Sequence, residues 1–457
     1  MRSINEKCAV IGVSNTHDFD VARLAYLGLW AMQHRGQDSS GIASHDGIKL
    51  HVHKDNGLVS HVYDETSLAS LKGQVAIGHN RYSTSGGKDD AHNQPYFDES
   101  LQFAFAHNGN LPYIEKLQQY LTKHQIAHEG FNDTGLMSLA LGNELKRASA
   151  IKSAVKKCWP LFTGAFSCVG LFGETLFAFR DSHGIRPLAL GRTHHGYIVA
   201  SETVALDIIG ADYIRDIKPG ELICVQGDKL TSHQIEQGKE RVDAFEFVYL
   251  ARPDSRISGM SVYTARYRAG QILAKEDEVK PDVVLPTPDS GLSAATGYAQ
   301  QSGVTLEYGL IKNRYIGRTF IEPEKIRKKS VELKFNVIVE SVAGKRVVIV
   351  DDSIVRGNTL RYVINLLKSY GAKEVHVRIA SPPVKYPDFY GIDTPKENDL
   401  IASEYSIEEI QKIIKADSLR FMTVDEFVQS TGLPKSRLNL SSFTGDYPIP
   451  VPYEATS

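Results

Sequence analysis

One stretch of sequence decides the fold of the second half of this chain: Arg346-Val347-Val348-Ile349-Val350-Asp351-Asp352-Ser353-Ile354-Val355-Arg356-Gly357-Asn358-Thr359. It begins with a compact β-branched run, which is typical of a buried strand, and continues into a loop that contains two acidic residues and a glycine. Apolar residues at helical spacing follow over residues 360–370, and residues 375–379 form another β-branched run. Strand, helix and strand in this order predict a βαβ unit, and therefore a parallel sheet buried on both faces.

The loop after this strand has the composition of a phosphate site. Where a strand leads into a helix, unpaired backbone N–H groups and the helix dipole favour an anion. Gly357 permits close backbone approach, and Ser353 and Thr359 add hydroxyl donors. Asp351 and Asp352 cannot serve the phosphate, but they suit ribose hydroxyls or a Mg²⁺ ion beside the phosphates. The structural alternative is a capped turn with two solvated acids.

Two further segments fit a phosphorylated substrate. The loop Pro286-Thr287-Pro288-Asp289-Ser290-Gly291 follows an apolar strand, and at the same sheet edge it would hold the other end of the substrate. Alone, it is also compatible with an ordinary turn. Residues 312–319 and 327–329, with Lys334, form a basic stretch with little apolar periodicity. They indicate either a cover that brings cations to a pyrophosphate or a solvated surface loop.

Composition excludes several classes of protein. The 457 residues are 42% apolar and 23% charged, close to globular averages, so disordered and fibrous folds are poor interpretations. The net charge of -2 argues against a dedicated nucleic-acid or membrane-surface binder. The four cysteines, Cys8, Cys158, Cys168 and Cys224, form no CxxC pair. Residues 1–7 contain no apolar core of a secretory signal, so we expect a cytoplasmic protein with reduced thiols.

The first half predicts an α/β or α+β domain with many strands. Residues 8–13, 75–78, 103–106 and 167–172 are candidate strands, and residues 21–33 are a candidate amphipathic helix. The pattern changes near residue 235. We therefore expect a domain boundary in the polar stretch from residue 227 to residue 239, and two domains in all.

Three polar segments of the first half contain candidate groups for binding a substrate. Arg81 suits a clamp for a carboxylate. Asn108 and the backbone N–H of Gly109 suit an oxyanion. Asp133 offers an acid for a substrate ammonium group. Each segment alone is also compatible with a turn held by structural hydrogen bonds. Together with a thiol, they supply every group needed to bind glutamine and hydrolyse its amide.

These motifs resemble two known families. The order of Cys8, residues 33–41, residues 78–81, residues 107–111 and Asp133 resembles a class II glutamine amidotransferase domain. Three second-half segments are similar to a type I phosphoribosyltransferase: residues 251–255, 317–321 and 350–357. Both halves in this order resemble the amidophosphoribosyltransferase family over nearly the whole chain. The resemblance implies an N-terminal-nucleophile αββα sandwich followed by a parallel-sheet α/β phosphoribosyltransferase domain with a C-terminal extension.

The resemblance also implies domain bounds and roles in the first half. Residues 1–7 would be a propeptide, residues 8–235 the glutaminase domain and residues 236–457 the phosphoribosyltransferase domain. Cys8 would be the N-terminal nucleophile, with its freed α-amine as base, because an amine of ordinary pKa ~7.7–8.0 works near neutral pH. Arg81 and Asp133 would bind glutamine, and Asn108 with Gly109 would form the oxyanion hole.

In the second half the resemblance implies a site for phosphoribosyl pyrophosphate and its metal. Ammonia from glutamine would displace pyrophosphate at C1 of the ribose, inside the protein, as the first committed step of purine synthesis. Mg²⁺ would be held by Asp351, Asp352 and Ser290. The residues that would bind phosphoribosyl pyrophosphate are Asp351, Asp352, Ser353, Val355, Arg356, Gly357, Asn358, Thr359 and Lys334.

Four positions depart from the family pattern. Ala9 replaces the usual glycine after the nucleophile, Gly135 stands where relatives commonly carry Glu, and Gly291 stands where a Ser or Thr often assists the metal. One branch of the family holds an iron–sulfur cluster with four cysteines. Asp388 stands at one expected cluster position, and residues 438–447 resemble that branch without any cysteine. We therefore predict no iron–sulfur cluster.

Family membership would imply a homotetramer with feedback inhibition by purine nucleotides, and no nucleic-acid or membrane partner. Two alternatives remain open. Another class II amidotransferase, such as the one that makes glucosamine 6-phosphate, would share the first half but lack the Asp351-Asp352 loop. A non-catalytic sensor of phosphoribosyl pyrophosphate or nucleotides would share the fold, but it would not need a nucleophile such as Cys8.

Overall fold

The computed structural model describes residues 8–15, 20–82, 90–148, 150–313, 335–392 and 399–452. Lys334, one of the expected ligands of phosphoribosyl pyrophosphate, and most of the basic stretch lie outside these ranges, as does the expected propeptide, residues 1–7. The described helices include none that is long and apolar enough to cross a membrane.

The first half of the chain is built mainly from antiparallel strands. In chain order they are Ala9–Ser14 (β1), Ser39–His45 (β2), Leu50–Asn56 (β3), Val75–Arg81 (β4), Tyr96–Asp98 (β5), Phe103–Tyr113 (β6), Thr163–Phe172 (β7), Thr175–Arg180 (β8), Ala189–Thr193 (β9), Gly196–Ala200 (β10), Asp212–Asp216 (β11), Glu221–Gln226 (β12) and Lys229–Gln234 (β13). One sheet has the order β11-β9-β10-β1-β4-β2-β3, and the other has the order β13-β12-β8-β7-β6-β5.

The helices of the first half are Val21–Ala31 (α1), Val59–Val62 (α2), Glu65–Ser70 (α3), Glu115–Lys123 (α4), Asp133–Ala148 (α5), Ile151–Cys158 (α6) and Thr203–Ile209 (α7). Apolar residues of the two sheets pack face to face, Val10 and Ile77 from one sheet against Ala104 and Val169 from the other. Helices α1 and α7 cover the outer face of the first sheet, and α4, α5 and α6 cover that of the second. The result is an αββα sandwich, as expected.

The second half contains the strands Val242–Asp243 (β14), Arg256–Ile257 (β15), Met260–Ser261 (β16), Val283–Pro286 (β17), Leu310–Lys312 (β18), Phe335–Val337 (β19), Arg346–Asp351 (β20), Glu374–Ile379 (β21), Ser418–Phe421 (β22) and Leu438–Asn439 (β23). Its helices are Val262–Lys275 (α8), Leu292–Ser302 (α9), Val339–Val342 (α10), Asn358–Ser369 (α11), Ile401–Glu404 (α12), Ile407–Ile414 (α13), Val424–Thr431 (α14) and Ser441–Thr444 (α15).

The expected parallel sheet is present, with the order β17-β20-β21-β22. Helices α11 and α13 cover one face, and α8 and α9 cover the other. Burial on both faces explains why β20 reads as an unbroken β-branched run. Helix α11 begins at Asn358, two residues before the expected start, because Gly357 in the left-handed region (φ 74°) ends the loop and caps the helix.

The polar stretch near residue 235 includes a strand. β13 pairs with β12 at the edge of the second sheet, in the register Gln226↔Lys229 to Glu221↔Gln234. An edge strand has one open side, and all residues of β13 are exposed or half-buried, so its composition resembles that of a linker. The boundary expected at residues 227–239 therefore includes β13, a strand of the sandwich.

Buried ion pairs join the sandwich to the segment that follows it. Arg35 is 1% exposed, and its guanidinium contacts Glu202 of the sandwich and Glu246 of the later segment. Glu202 also accepts hydrogen bonds from Ser255 Oγ at 2.6 Å and from the backbone N–H of Arg252 at 3.0 Å. Although burial alone raises the pKa of Glu202, the positive charges of Arg35 and His34 outweigh it and hold that pKa well below its usual range.

Replacing Glu202 by Gln should destabilise the protein strongly, because Arg35 then keeps only one of its two counter-ions. We expect the free energy of unfolding to fall by about 3–5 kcal/mol at pH 7. The lowered pKa of Glu202 also means that this stabilisation is lost as the pH falls below the ordinary carboxylate range. Urea unfolding at pH 7 measures the first effect, and the narrowing of the difference between wild type and variant from about pH 5 to about pH 3 measures the onset of the second.

Glu65→Gln is the matched control. Glu65 pairs with Arg23 on the surface, where the two side chains are 81% and 44% exposed. Solvent screens such a pair, so this variant should leave the unfolding midpoint unchanged. Equal destabilisation by the two variants would contradict a special role for the buried cluster.

Candidate active sites

Cys8 stands at the start of the central strand of the first sheet. It directly precedes β1, which lies between β4 and β10. Because Ala9 pairs with Asn80, Arg81 at the end of β4 lies at the same sheet edge as Cys8. Ser201, the residue after β10, lies on the other side of β1. The central position brings two neighbouring strand ends to the thiol.

Asn108 reaches this edge from the second sheet. It is fully buried in β6, and its amide nitrogen lies 3.5 Å from Ser201 Oγ. The same Oγ accepts the backbone N–H of Val10 at 3.0 Å. One hydroxyl therefore connects the expected oxyanion donor with the strand that carries Cys8.

Gly109 has a conformation and surroundings that only glycine tolerates. Its φ is 150°, and an added Cβ would lie 2.0 Å from the carbonyl oxygen of Ala165. Its backbone also packs against Gly391 of the second half, whose added Cβ would lie 3.1 Å from Gly109 Cα. The next residue, Asn110, donates from Nδ2 to the carbonyl oxygen of Phe389 at 2.7 Å. The expected oxyanion loop is thus in direct contact with the second half.

Asp133 is the first residue of α5, and its carboxylate organises the surrounding backbone. Oδ2 accepts the N–H of Leu111 at 3.1 Å, and Oδ1 accepts the N–H of Thr134 at 2.8 Å. Arg81 is buried, and its Nη1 donates to Asn93 Oδ1 at 3.4 Å. The two expected glutamine-binding side chains are therefore positioned by local hydrogen bonds within the described structure.

Sequence reasoning missed the polar network behind these groups. Gln94 Oε1 accepts the N–H of His107 at 2.8 Å, and Gln94 Nε2 donates to Thr134 Oγ1 at 3.2 Å. His107 Nδ1 lies 3.2 Å from the same threonine hydroxyl. His79 is also fully buried, but its ring nitrogens have no hydrogen-bond partner among the described residues. Burial lowers its pKa to about 3, helped by the charge of Arg81. Only the presence of histidines inside strand patterns could have indicated this network.

The two phosphate-site loops meet at the carboxyl edge of the parallel sheet. β17 pairs with β20, and the N–H of Thr287 donates to the carbonyl oxygen of Val350 at 2.9 Å. Gly291 packs directly on that carbonyl, because an added Cβ would lie 2.3 Å from Val350 O. Gly291 is therefore required for close approach of the two loops, which accounts for the absence of a Ser or Thr there.

Asp351 and Asp352 are both 8% exposed at this edge. Burial raises the pKa of Asp351 well above its usual value, and the charge of Asp352 raises it further. Burial also raises the pKa of Asp352, although hydrogen bonds from the hydroxyls of Ser290 and Ser353 favour its ionised form. The two carboxyls are not the solvated acids of the alternative interpretation.

The other expected phosphoribosyl pyrophosphate ligands lie along the same loop. The carbonyl of Val355 accepts the N–H of Ile401 at 2.9 Å, and Arg356 Nη2 donates to Asp399 Oδ2 at 2.8 Å. Asn358 and Thr359 are exposed in the first turn of α11. The structure thus places residues 351–359 around one helix N-terminus. In this conformation Arg356 is paired with an acid.

Oxygen donors at this edge fit a magnesium ion. Asp351, Asp352 and the hydroxyl of Ser290 are hard ligands of the kind that Mg²⁺ prefers, and a cation would offset the cost of burying two adjacent carboxylates. Within the described ranges, groups of three or more His, Cys, Asp or Glu side chains suited to a metal are absent. Such a metal would therefore rely on substrate oxygens and water for its remaining ligands.

The cysteines other than Cys8 lie in the sandwich. Cys158, the last residue of α6, and Cys168 of β7 are buried in the core between helices α4–α6 and the second sheet, and Cys224 packs against this core. Burial raises the pKa of Cys224 to about 11. Asp388, at the expected cluster position, accepts the N–H groups of Tyr390 and Ile392 at 2.8 Å each. Its carboxylate organises the turn that contacts Gly109.

Comparisons with known proteins identify the class of each half of the chain. Residues 79–207 match the family profile described as glutamine amidotransferase domain, and residues 265–383 match the one described as phosphoribosyl transferase domain. The fold and these two matches therefore define a glutamine amidotransferase joined to a phosphoribosyltransferase.

Relatives over the full length identify the family. The amidophosphoribosyltransferase of Mycobacterium tuberculosis H37Rv is 44% identical over 99% of this chain and 88% of its own length. That of Bacillus subtilis is 40% identical over 99% of this chain and 96% of its own. The chain belongs to the amidophosphoribosyltransferase family. It is a pentosyltransferase of purine biosynthesis that converts glutamine and phosphoribosyl pyrophosphate to 5-phosphoribosylamine, glutamate and pyrophosphate.

Two solved structures are similar to this chain over nearly its whole length. The glutamine phosphoribosylpyrophosphate amidotransferase from B. subtilis, complexed with ADP and GMP, has a TM-score of 0.89 and 38% identity, covering 98% of this chain and 99% of that one. A structure described as the allosteric regulatory enzyme of purine biosynthesis has a TM-score of 0.90, also at 38% identity, covering 98% of this chain and 97% of that one.

Gly291→Ala should impair phosphoribosyl transfer. Its Cβ would lie 2.3 Å from Val350 O, so the two loops must separate. Displacements of about 1 Å can cost roughly 10²-fold in rate, and we expect a loss of that order in phosphoribosylamine synthesis with ammonia as the nitrogen source. Gly142→Ala is the control, because its added Cβ meets nothing closer than 3.8 Å. Equal rates in the two variants would contradict the steric argument.

Proposed function

We propose that Cys8 is the nucleophile that releases ammonia from glutamine. Its thiolate attacks the amide carbon, and the resulting glutamyl thioester is hydrolysed by water. Arg81 binds the substrate carboxylate and Asp133 its ammonium group. Asn108 and the N–H of Gly109 stabilise the oxyanion. The observation that carries this proposal is the hydrogen-bonded connection of Asn108, through Ser201, to the strand that begins after Cys8.

The base in this mechanism is the α-amine of Cys8, freed by removal of residues 1–7. An α-amine with an ordinary pKa of ~7.7–8.0 is partly unprotonated at neutral pH, whereas a lysine amine is not. The amine is attached to the same residue as the thiol, so it needs no separate positioning. We assign residues 8–235 to the glutaminase domain and residues 236–457 to the phosphoribosyltransferase domain.

The second site takes phosphoribosyl pyrophosphate with Mg²⁺. Asp351 and Asp352 serve the ribose and the metal, with Ser290 as a further metal ligand. The backbone and side chains of residues 353–359 bind phosphate at the start of α11, where the helix dipole favours an anion. Lys334 adds a positive charge. A Mg²⁺ ion held by the two aspartates and Ser290 would supply positive charge to offset the negative charge of the pyrophosphate leaving group.

Ammonia passes between the sites inside the protein, because in water at neutral pH it is mostly protonated and not nucleophilic. The contact of Gly109 with Gly391, and of Asn110 with Phe389, supports a route that starts at residues 388–392. We also propose inhibition by purine nucleotides, because one solved relative is described as complexed with ADP and GMP and another as an allosteric regulatory enzyme. We also propose a cytoplasmic homotetramer.

Two variants test whether glutamine hydrolysis and phosphoribosyl transfer take place at separate sites. Cys8→Ala should abolish glutamine-dependent synthesis but retain synthesis from ammonium chloride, because the second site is intact. Asp351→Asn with Asp352→Asn should abolish transfer from either nitrogen source and retain basal glutaminase activity. Glutamate and pyrophosphate release, measured in parallel, report the two half-reactions. Transfer at the wild-type rate in the double variant would contradict the assignment of the Asp351-Asp352 loop.

Active protein should begin at Cys8. We expect the intact mass of the active fraction to lack residues 1–7, and Cys8→Ala to keep them if the thiol itself drives removal. Mass spectrometry of both proteins measures this directly. Full activity in protein that retains Met1 would exclude the α-amine of Cys8 as the base.

A further inference from the structure

We propose that Ser201 is a positioning residue for glutamine hydrolysis. Its hydroxyl orients the side-chain amide of Asn108 so that the NH₂ group, and not the carbonyl oxygen, faces the developing oxyanion. This inference rests on the proposed role of Asn108 as an oxyanion donor. It adds to that role a residue that touches neither substrate nor the reacting atoms.

Ser201 has a fixed position in the structure. It is 1% exposed and follows β10 directly. Its Oγ accepts the N–H of Val10 at 3.0 Å, and its own N–H donates to the carbonyl oxygen of Val10 at 3.0 Å. Two hydrogen bonds therefore hold Ser201 to β1, two residues beyond Cys8. A side chain held in this way can define the orientation of a neighbour.

The amide of Asn108 has one end against this hydroxyl and the other end unsatisfied. Nδ2 lies 3.5 Å from Ser201 Oγ, while Oδ1 is buried without a hydrogen-bond partner among the described residues. In this orientation Ser201 Oγ faces two donors, the amide of Asn108 and the N–H of Val10. A serine hydroxyl can also donate one hydrogen bond. If the amide of Asn108 presented its oxygen to Ser201, the hydroxyl could accept from Val10 and donate to Asn108.

A half-turn of the amide about the Cβ–Cγ bond gives the hydroxyl proton of Ser201 an acceptor. Ser201 O–H then donates to Oδ1 of Asn108, and the NH₂ group occupies the position where Oδ1 is unsatisfied. The two ends of a carboxamide are nearly equal in size, so the turn needs no change in packing. The NH₂ group is then a donor without a partner until a substrate oxygen arrives, as a preorganised oxyanion site requires.

Loss of the hydroxyl should act on kcat and not on glutamine binding. Without Ser201 O–H both amide orientations become available, and in one of them an oxygen faces the oxyanion. The penalty falls on the transition state, where the negative charge develops, so KM is little affected. Ammonia-dependent synthesis at the second site should not change, because it bypasses glutamine hydrolysis.

The test compares Ser201→Ala with Ser14→Ala in the full-length protein. Ser14 is also a buried serine of the first sheet, and its Oγ has no hydrogen-bond partner among the described residues. For Ser201→Ala we expect kcat for glutamate release to fall about tenfold or more, with KM for glutamine within about threefold. Ser14→Ala should keep both constants. Both variants should keep ammonia-dependent synthesis, which also verifies their folding.

A double-mutant cycle shows whether Ser201 acts through Asn108. Asn108→Ala alone should lower kcat by about 10²–10³-fold, and adding Ser201→Ala should cause little further loss. An unchanged kcat in Ser201→Ala would overturn the inference. So would a loss of kcat on adding Ser201→Ala to Asn108→Ala that equals its loss in the wild-type protein. Wild-type glutaminase activity in Asn108→Ala would instead overturn the proposed oxyanion hole itself, whatever Ser201→Ala shows.

Discussion

The buried guanidinium of Arg35, held between Glu202 and Glu246, is the interaction on which the arrangement of the two halves depends. A buried arginine is tolerated only where carboxylates and hydrogen bonds replace its lost hydration. Here the two carboxylates come from different parts of the chain, one from the end of the sandwich sheet and one from the segment after it. Satisfying one charge therefore fixes the position of the second half relative to the first.

The proposed glutaminase site lies next to that buried cluster. Glu202 follows Ser201 directly, so the residue that anchors the junction is adjacent to the one that contacts β1 and Asn108. On the other side of the site, Gly109 and Asn110 contact the turn at residues 389–391. The proposed glutaminase site thus touches the second half through backbone and short side chains. A small shift of that turn would reach the oxyanion loop directly, which gives a physical basis for coupling two reactions that share one ammonia molecule.

Much of the fold could be predicted from local patterns. β20 and α11 were evident because a strand buried on both faces is continuously apolar, and an amphipathic helix repeats at 3.6 residues. The prediction that Asp351, Asp352 and Gly357 belong to a binding site followed from their position between this strand and this helix. β13 was missed because edge strands are as polar as linkers. The role of Gly291 was also missed, since its requirement comes from the carbonyl of Val350, sixty residues away in the chain.

The sequence by itself determined the two folds, their order and the residues with suitable chemistry, because strand periodicity, helix spacing and short motifs are local properties of the chain. Only the tertiary structure decided which of those residues meet. The joining of Asn108 to β1 by Ser201, the burial of the two aspartates and the pairing of Arg35 with Glu202 and Glu246 all depend on contacts between distant segments. Such contacts arise when sheets stack and parallel strands align, and neither event leaves a periodic signal in the sequence.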